Sequence, residues 1–173
     1  MTEGLTTPRA EEQLAAIASL SRALEQDAID YWLFGGWAVD LWVGRLTREH
    51  DDIDVAAWRS DYGAIGSALE AAGWRHTPVP DEVVGTRYRW GAAQVEFTFM
   101  TTDGDGRAVI PLPDHPIVWS AEPLGNERRQ LRGVSSRIIP LALLKAGKAS
   151  AREGSAAAAK DRSDAAALKD LES

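Results

Sequence analysis

The sequence contains no cysteine, which excludes disulfides and thiolate metal sites. Histidine is scarce, at three residues, so any metal must be held mainly by carboxylate oxygens. That donor chemistry favours magnesium or manganese over structural zinc. Positive charge is in deficit: 19 lysines and arginines stand against 26 aspartates and glutamates, a formal net charge of −7. A protein that grips nucleic acid over many phosphates normally carries a basic balance, so the acidic one weighs against DNA or RNA as substrate. Such a surface would draw a small cationic substrate instead. Long apolar runs are also missing. No stretch reaches transmembrane length, and Met1 to Ala10 is polar, without the apolar centre of a signal peptide, so no membrane partner and a cytoplasmic location are expected.

What is present is ordinary globular composition: 173 residues, 45% hydrophobic and 26% charged, enough for one core and expected to form a single domain over 1–173. Leu14, Ile17, Leu20 and Leu24 recur at helical spacing and predict an amphipathic helix from Glu11 to Gln26. Tyr31 to Phe34 is a short apolar run that stops at Gly35-Gly36, the pattern of a buried strand entering a tight turn. Trp37 to Val43 reads as a helix ended by Gly44, and Asp52 to Ala56 alternates acidic and apolar residues as a strand does. Tyr62 to Ala72 predicts a helix ended by Gly73. Thr86 to Trp90 and Gln94 to Met100 flank Gly91-Ala92-Ala93 as a hairpin, with Val95, Phe97 and Phe99 on one face and Gln94, Glu96 and Thr98 on the other. Asp103 to Gly106 is turn chemistry, and Pro111 to Pro123 carries loop signals without an assignable element. Leu131 to Ile139 reads as a last strand, and Pro140 opens a helix reaching about Arg152. Gly154-Ser155 interrupts, and Ala156 to Leu171 forms a second, alanine-rich helix. The expected fold is therefore mixed α/β (α+β), a mixed sheet flanked by helices with a helical C-terminal segment from about residue 140.

The chemistry concentrates in Gly35 to Asp40 and Gly44 to Asp54. Gly35 and Gly36 let backbone N–H groups approach an anion with no Cβ in the way, and the following helix turns its positive end to the same place. Asp52 and Asp54, two apart on a strand, project from one face, where they can share a pair of divalent cations. Such a pair positions a triphosphate and lowers the pKa of an attacking hydroxyl. Glu96, on the polar face of its strand, is the candidate third carboxylate, with Glu82 next in line. Arg45, Arg48 and His50 stand close enough in sequence to reach phosphate oxygens. Lys145, Lys148 and Arg152 share one helix face and could do the same from across a cleft, or form a solvated basic stripe.

Each of these features alone has an ordinary explanation as a turn or a solvated face; their conjunction at short range does not. Other acidic motifs fit poorly. The Asp-x-Asp of haloacid-dehalogenase phosphatases is followed by threonine, whereas Val55-Ala56 follows Asp54 here. A restriction-type nuclease wants Glu-x-Lys, and Glu96-Phe97-Thr98 lacks the lysine. Asp103 to Gly106 has no glutamate to close a calcium loop.

The block Gly35-Gly36-Trp37-Ala38-Val39-Asp40 with Gly44-Arg45, Thr47-Arg48, His50 and Asp52-Ile53-Asp54 resembles the DNA polymerase β nucleotidyltransferase superfamily. Within it the block is most similar to the aminoglycoside 2''-nucleotidyltransferases and the lincosamide nucleotidyltransferases. The resemblance is strong over about Trp32 to Val55 and moderate over Gln94 to Phe99. Lys145, Arg152 and Lys160 to Asp164 are similar to the basic and acidic helices of minimal nucleotidyltransferases. The resemblance implies the polymerase β-like fold and transfer of a nucleoside monophosphate, AMP from ATP or another nucleoside triphosphate, with release of pyrophosphate. It implies metal ligation by Asp52 and Asp54, ligand or base duty for Glu96, and magnesium or manganese as cofactor. The implied acceptor is a small hydroxylated molecule, with an antibiotic foremost. Two rivals are a minimal nucleotidyltransferase of a toxin–antitoxin pair modifying protein or tRNA, and a non-catalytic nucleotide-binding module. Two departures stand out. The superfamily usually has Gly-Ser where Gly35-Gly36 stands, a change shared by the antibiotic-modifying branch, and its third carboxylate is commonly aspartate.

Overall fold

The computed structural model describes residues 7–149, 155–169 and 171. The first helix, α1 (Pro8–Gln26), starts three residues before Glu11, the predicted start. Thr7 caps it by accepting from the Ala10 N–H at 3.1 Å, and Pro8 opens the first turn, where its missing N–H costs nothing. Leu14, Ile17, Leu20 and Leu24 are all buried, as the spacing requires.

After β1 (Tyr31–Phe34) the chain enters α2 (Gly35–Val43), then β2 (Ile53–Trp58), a 3-10 turn over Arg59–Asp61, and α3 (Tyr62–Ala71). β3 (Arg75–His76), β4 (Gly85–Trp90), β5 (Ala93–Thr102), β6 (Ala108–Ile110) and β7 (Ile117–Ser120) complete a seven-stranded sheet. Its order is β1-β2-β5-β4-β3, with β6 added to β5 and β7 to β6. β1 runs antiparallel to β2, β2 parallel to β5, and β4 antiparallel to β5, so the sheet is mixed. The expected α+β architecture is thus what the chain adopts.

Alternation along β5 sorts the sheet into two faces. Val95, Phe97 and Phe99 are buried, and Ile53 and Val55 stand beside Val95 and Phe97 in register. α1 and α3 pack together, and α1 also covers β5 on this side. On the other face Asp54 lies directly beside Glu96 and opposite Phe34. Two carboxylates on strands ~5 Å apart repel by on the order of 1–3 kcal/mol. Each fully buried Ile, Leu or Phe on the reverse face contributes roughly 1.5–3 kcal/mol. The core therefore outweighs the repulsion and holds the acidic pair in place.

The chain differs from the sequence reading at two places. Residues 111–123, unassigned from sequence, include the edge strand β7. The expected single strand Leu131 to Ile139 is instead a hairpin, β8 (Arg128–Leu131) and β9 (Val134–Arg137). Its two turn residues, Arg132 and Gly133, both have positive φ, at 50° and 79°, the requirement of the tight turn that matches strand twist. The helical segment divides as expected, into α4 (Leu141–Ala149) and α5 (Ser155–Leu168); Arg152 and the Gly154 break lie outside the described residues. Ile138 bridges to Leu33, which brings the start of α4 to the exit of β1.

Candidate active site

Gly35 and Gly36, the first residues of α2, lie where the chain leaves β1, so the positive end of the helix faces the carboxylate side of the sheet. Gly35 has φ +69°, and a Cβ there would stand 2.3 Å from Asp54 Oδ2. A Cβ on Gly36 would stand 2.4 Å from His50 Nδ1 and 2.7 Å from Arg48 Nη2. Both glycines are thus required by the side chains that crowd them.

The loop between α2 and β2 is organised by a buried carboxylate. Asp40, fully buried on α2, accepts from the Thr47 N–H at 3.2 Å, from the Thr47 hydroxyl, and pairs with His50 Nε2 at 2.6 Å. His50 is 4% exposed, and its other nitrogen, Nδ1, is buried beside Gly36 with no hydrogen-bond partner among the described residues. Arg48 donates Nε and Nη2 to Asp164 of α5 at 2.9 and 3.0 Å and Nη1 to the Glu49 carbonyl at 2.9 Å.

These groups line one cavity of about 370 Å³. Gly35, Gly36, Arg48, His50, Asp52, Asp54 and Glu96 all contribute to it, so seven of the sequence-predicted site residues meet there. Asp52 accepts from Gln94 Nε2 at 2.9 Å, and Glu96 accepts from Arg87 Nε at 2.9 Å. Among the described residues no three His, Asp or Glu groups stand at metal-holding distance of one another. In donor type, two aspartates and a glutamate lining one cavity fit a hard divalent cation, with Glu96 engaged by Arg87 in this arrangement.

Two predicted residues are not brought there. Arg45 is exposed and does not line the cavity. Lys145 turns the other way: its Nζ donates to the Leu171 carbonyl, and it borders a separate hollow with Ala165, Leu168 and Lys169. Lys148, one turn on, does reach the cavity, pairing with Asp164 at 2.8 Å and Asp161 at 3.4 Å. Glu82 is also elsewhere, accepting from Tyr62, His76 and Thr86 in a network among β3, β4 and the start of α3.

Topology adds residues from outside the predicted site, among them one from the Lys160 to Asp164 segment whose resemblance to a helix of minimal nucleotidyltransferases the sequence shows. Lys160 of α5 lines the cavity and pairs with Asp51, holding that carboxyl below its usual range. Phe34, Trp119, Ile139, Leu143 and Leu144 form an apolar wall, in which Phe34 and Trp119 meet edge to face at 5.4 Å. The cavity thus has an acidic floor (Asp52, Asp54, Glu96), a basic side (Arg48, Lys148, Lys160) and an apolar wall. Burial pushes the Asp164 carboxyl up, but hydrogen bonds and charge from Arg48 and Lys148 outweigh it and leave it below 3.8.

The mixed sheet, with a Gly-Gly helix start facing an acidic strand, is the polymerase β-like fold, and two solved structures share it. The lincosamide antibiotic adenylyltransferase LnuA, solved with lincomycin, aligns with a TM-score of 0.69 at 20% identity, over 94% of this chain and 98% of that one. ANT(2'')-Ia, solved with adenylyl-2''-tobramycin, aligns with a TM-score of 0.63 at 20% identity, over 91% and 90% of the two chains. The aminoglycoside-2''-adenylyltransferase family model matches residues 16–168, and the chain belongs to that family. A 2''-aminoglycoside nucleotidyltransferase of Klebsiella pneumoniae is 35% identical over 65 residues, 38% of this chain and 37% of that relative's length.

Proposed function

We propose that this protein is a nucleotidyltransferase that moves AMP from ATP onto a hydroxyl of an aminoglycoside or lincosamide antibiotic. The observation that carries this reading is the in-register placement of Asp54 beside Glu96, with Asp52 and the Gly35-Gly36 helix start in the same cavity. A volume of about 370 Å³ is in the usual range for a small-molecule site.

Asp52, Asp54 and Glu96 would hold a pair of magnesium or manganese ions, which when bound supply charge to the triphosphate and acidify the attacking hydroxyl. The N–H groups of Gly35 and Gly36 receive phosphate oxygens at the helix start. Arg48, Lys148 and Lys160 face the same oxygens from the basic side, and His50 Nδ1, beside Gly36 and unpartnered among the described residues, borders the phosphate position. The acceptor hydroxyl attacks the α-phosphorus in line. Its proton passes to Glu96, the new oxygen–phosphorus bond forms, and the bond to the bridging oxygen breaks to release pyrophosphate. Positioning and electrostatic stabilisation account for most of the acceleration.

The test is mass spectrometry of products after incubation with magnesium, ATP and a panel of aminoglycosides and lincosamides. We expect a drug to gain one AMP, and Asp54→Asn to abolish the gain with the fold intact. AMP gained by added tRNA or protein, with every drug unchanged, would overturn the acceptor assignment.

A further inference from the structure

The cations on the basic side of the cavity come from distant parts of the chain: Arg48 from the loop before β2, Lys148 from α4 and Lys160 from α5. Two of the three converge on one carboxylate that does not itself line the cavity. Asp164 is fully buried and receives Arg48 Nε at 2.9 Å, Arg48 Nη2 at 3.0 Å and Lys148 Nζ at 2.8 Å. Arg48 is further tied through Nη1 to the Glu49 carbonyl, so its guanidinium plane is fixed on both sides. A buried carboxylate persists only when paired, and here the pairing is doubled. Asp164 stays ionised well below neutral pH, so the pairing holds under physiological conditions. Without it, a guanidinium and an ammonium, 19% and 11% exposed, would be left with only the Asp161 carboxylate, 3.4 Å from Lys148 Nζ, beside them.

We infer that Asp164 is a positioning residue for triphosphate recognition: it holds Arg48 and Lys148 side by side at the cavity wall and links docking of α5 to nucleotide binding. The inference rests on the nucleotidyltransferase reading above. It makes a prediction of definite sign. Removing an anion from beside two phosphate-facing cations raises the local positive potential, and on charge alone that tightens anion binding. If geometry dominates, the same change weakens it, because the freed cations separate and each must be ordered again when the ligand arrives.

The experiment is calorimetric titration of the full chain with magnesium-ATP and, separately, with magnesium and inorganic tripolyphosphate. Wild type is compared with Asp164→Asn and Asp164→Glu, each checked for fold by circular dichroism. We expect Asp164→Asn to weaken both ligands by about tenfold or more. The nucleotide KM should rise by the same factor while the acceptor KM is unmoved. Asp164→Glu, which keeps the charge but lengthens the side chain, should fall between the two. A folded Asp164→Asn that binds both ligands as tightly as wild type, or more tightly, overturns the inference. So does an equal rise in the two KM values, which would make Asp164 merely structural. If Asp164→Asn does not fold, Asp164→Glu decides: affinity below wild type supports the inference, and wild-type affinity overturns it. A wild-type chain that binds neither ligand would instead sink the nucleotidyltransferase reading itself.

Discussion

Glu96 is engaged by one partner while lining a cavity that asks something else of it. Its carboxylate lies against Arg87 on the neighbouring strand, with side chains 34% and 47% exposed. An ion pair that open contributes about 0–1 kcal/mol, so Glu96 can exchange it for ligands in the cavity at little cost. Glu96→Gln should therefore leave thermal stability within about 1 kcal/mol of wild type. Turnover should fall by roughly 10²–10⁴-fold, the worth of a positioned proton acceptor. Single-turnover kinetics beside a thermal melt check both halves, and a variant with wild-type turnover would remove Glu96 from the reaction. The placement of this residue was legible in sequence because alternation along one strand fixes which face each side chain takes. Asp52, Asp54, Gly35, Gly36, Arg48 and His50 were legible for a related reason: they lie within one short block joined by α2 and β2. Trp119 was not, because only the fold brings it to that block; Lys160 and Asp164 stood out in sequence only as part of a resembling helix, without a place in the site. Arg45 and Lys145 were chosen on proximity and helical phase, and neither lines the cavity: Arg45 is exposed and Lys145 donates to the Leu171 carbonyl.

The α5 helix is held in an unusual way for its length. Its described buried side chains are Asp161, Asp164 and Leu168, so two of the three are acidic. Docking therefore leans on charge where α1 leans on an apolar stripe. Asp164 has its carboxyl lowered in the folded chain relative to 3.8. Its contribution is thus complete above that ordinary value and is lost as pH falls through the lower, folded one, while Arg48 and Lys148 stay protonated throughout. Hydrogen-exchange protection factors for α5 should hold steady from pH 7 to about 5 and drop only below about 3.8, ahead of those in α1. Loss of protection near neutral pH would contradict this. The alanine-rich composition announced the helix but not its docked face, since there is no apolar stripe to read. The β8–β9 hairpin was missed for the opposite reason. An apolar residue at each end, Leu131 and Ile139, made one run of what Gly133 divides, and a glycine inside a strand pattern is the signal that marks the division.

For the molecule as a whole, the cavity is walled by α2, β1, β2, β5, β7, α4 and α5 at once. A ligand bound there ties together residues as far apart as Phe34 and Asp161 and should stabilise every element that meets it. With magnesium-ATP at 100 times its dissociation constant, mass action adds about 2.7 kcal/mol. In a domain of this size that is a rise of roughly 5–11 °C in melting temperature. Scanning fluorimetry with and without magnesium checks it, and the shift should vanish in Asp54→Asn. The mixed sheet with flanking helices was legible in the sequence, whereas the strand order was not, since nothing local states that β5 inserts between β2 and β4. The Arg48–Asp164 contact spans 116 residues, and this has a consequence for how the protein is made. At about 5–20 residues per second, Arg48 is synthesised roughly 6 to 23 seconds before the carboxylate that fixes it. The carboxylates of β2 and β5 are all synthesised by then. Among these groups the nascent chain acquires its acidic floor first and its basic side last, so competence for substrate arrives only with the final helix.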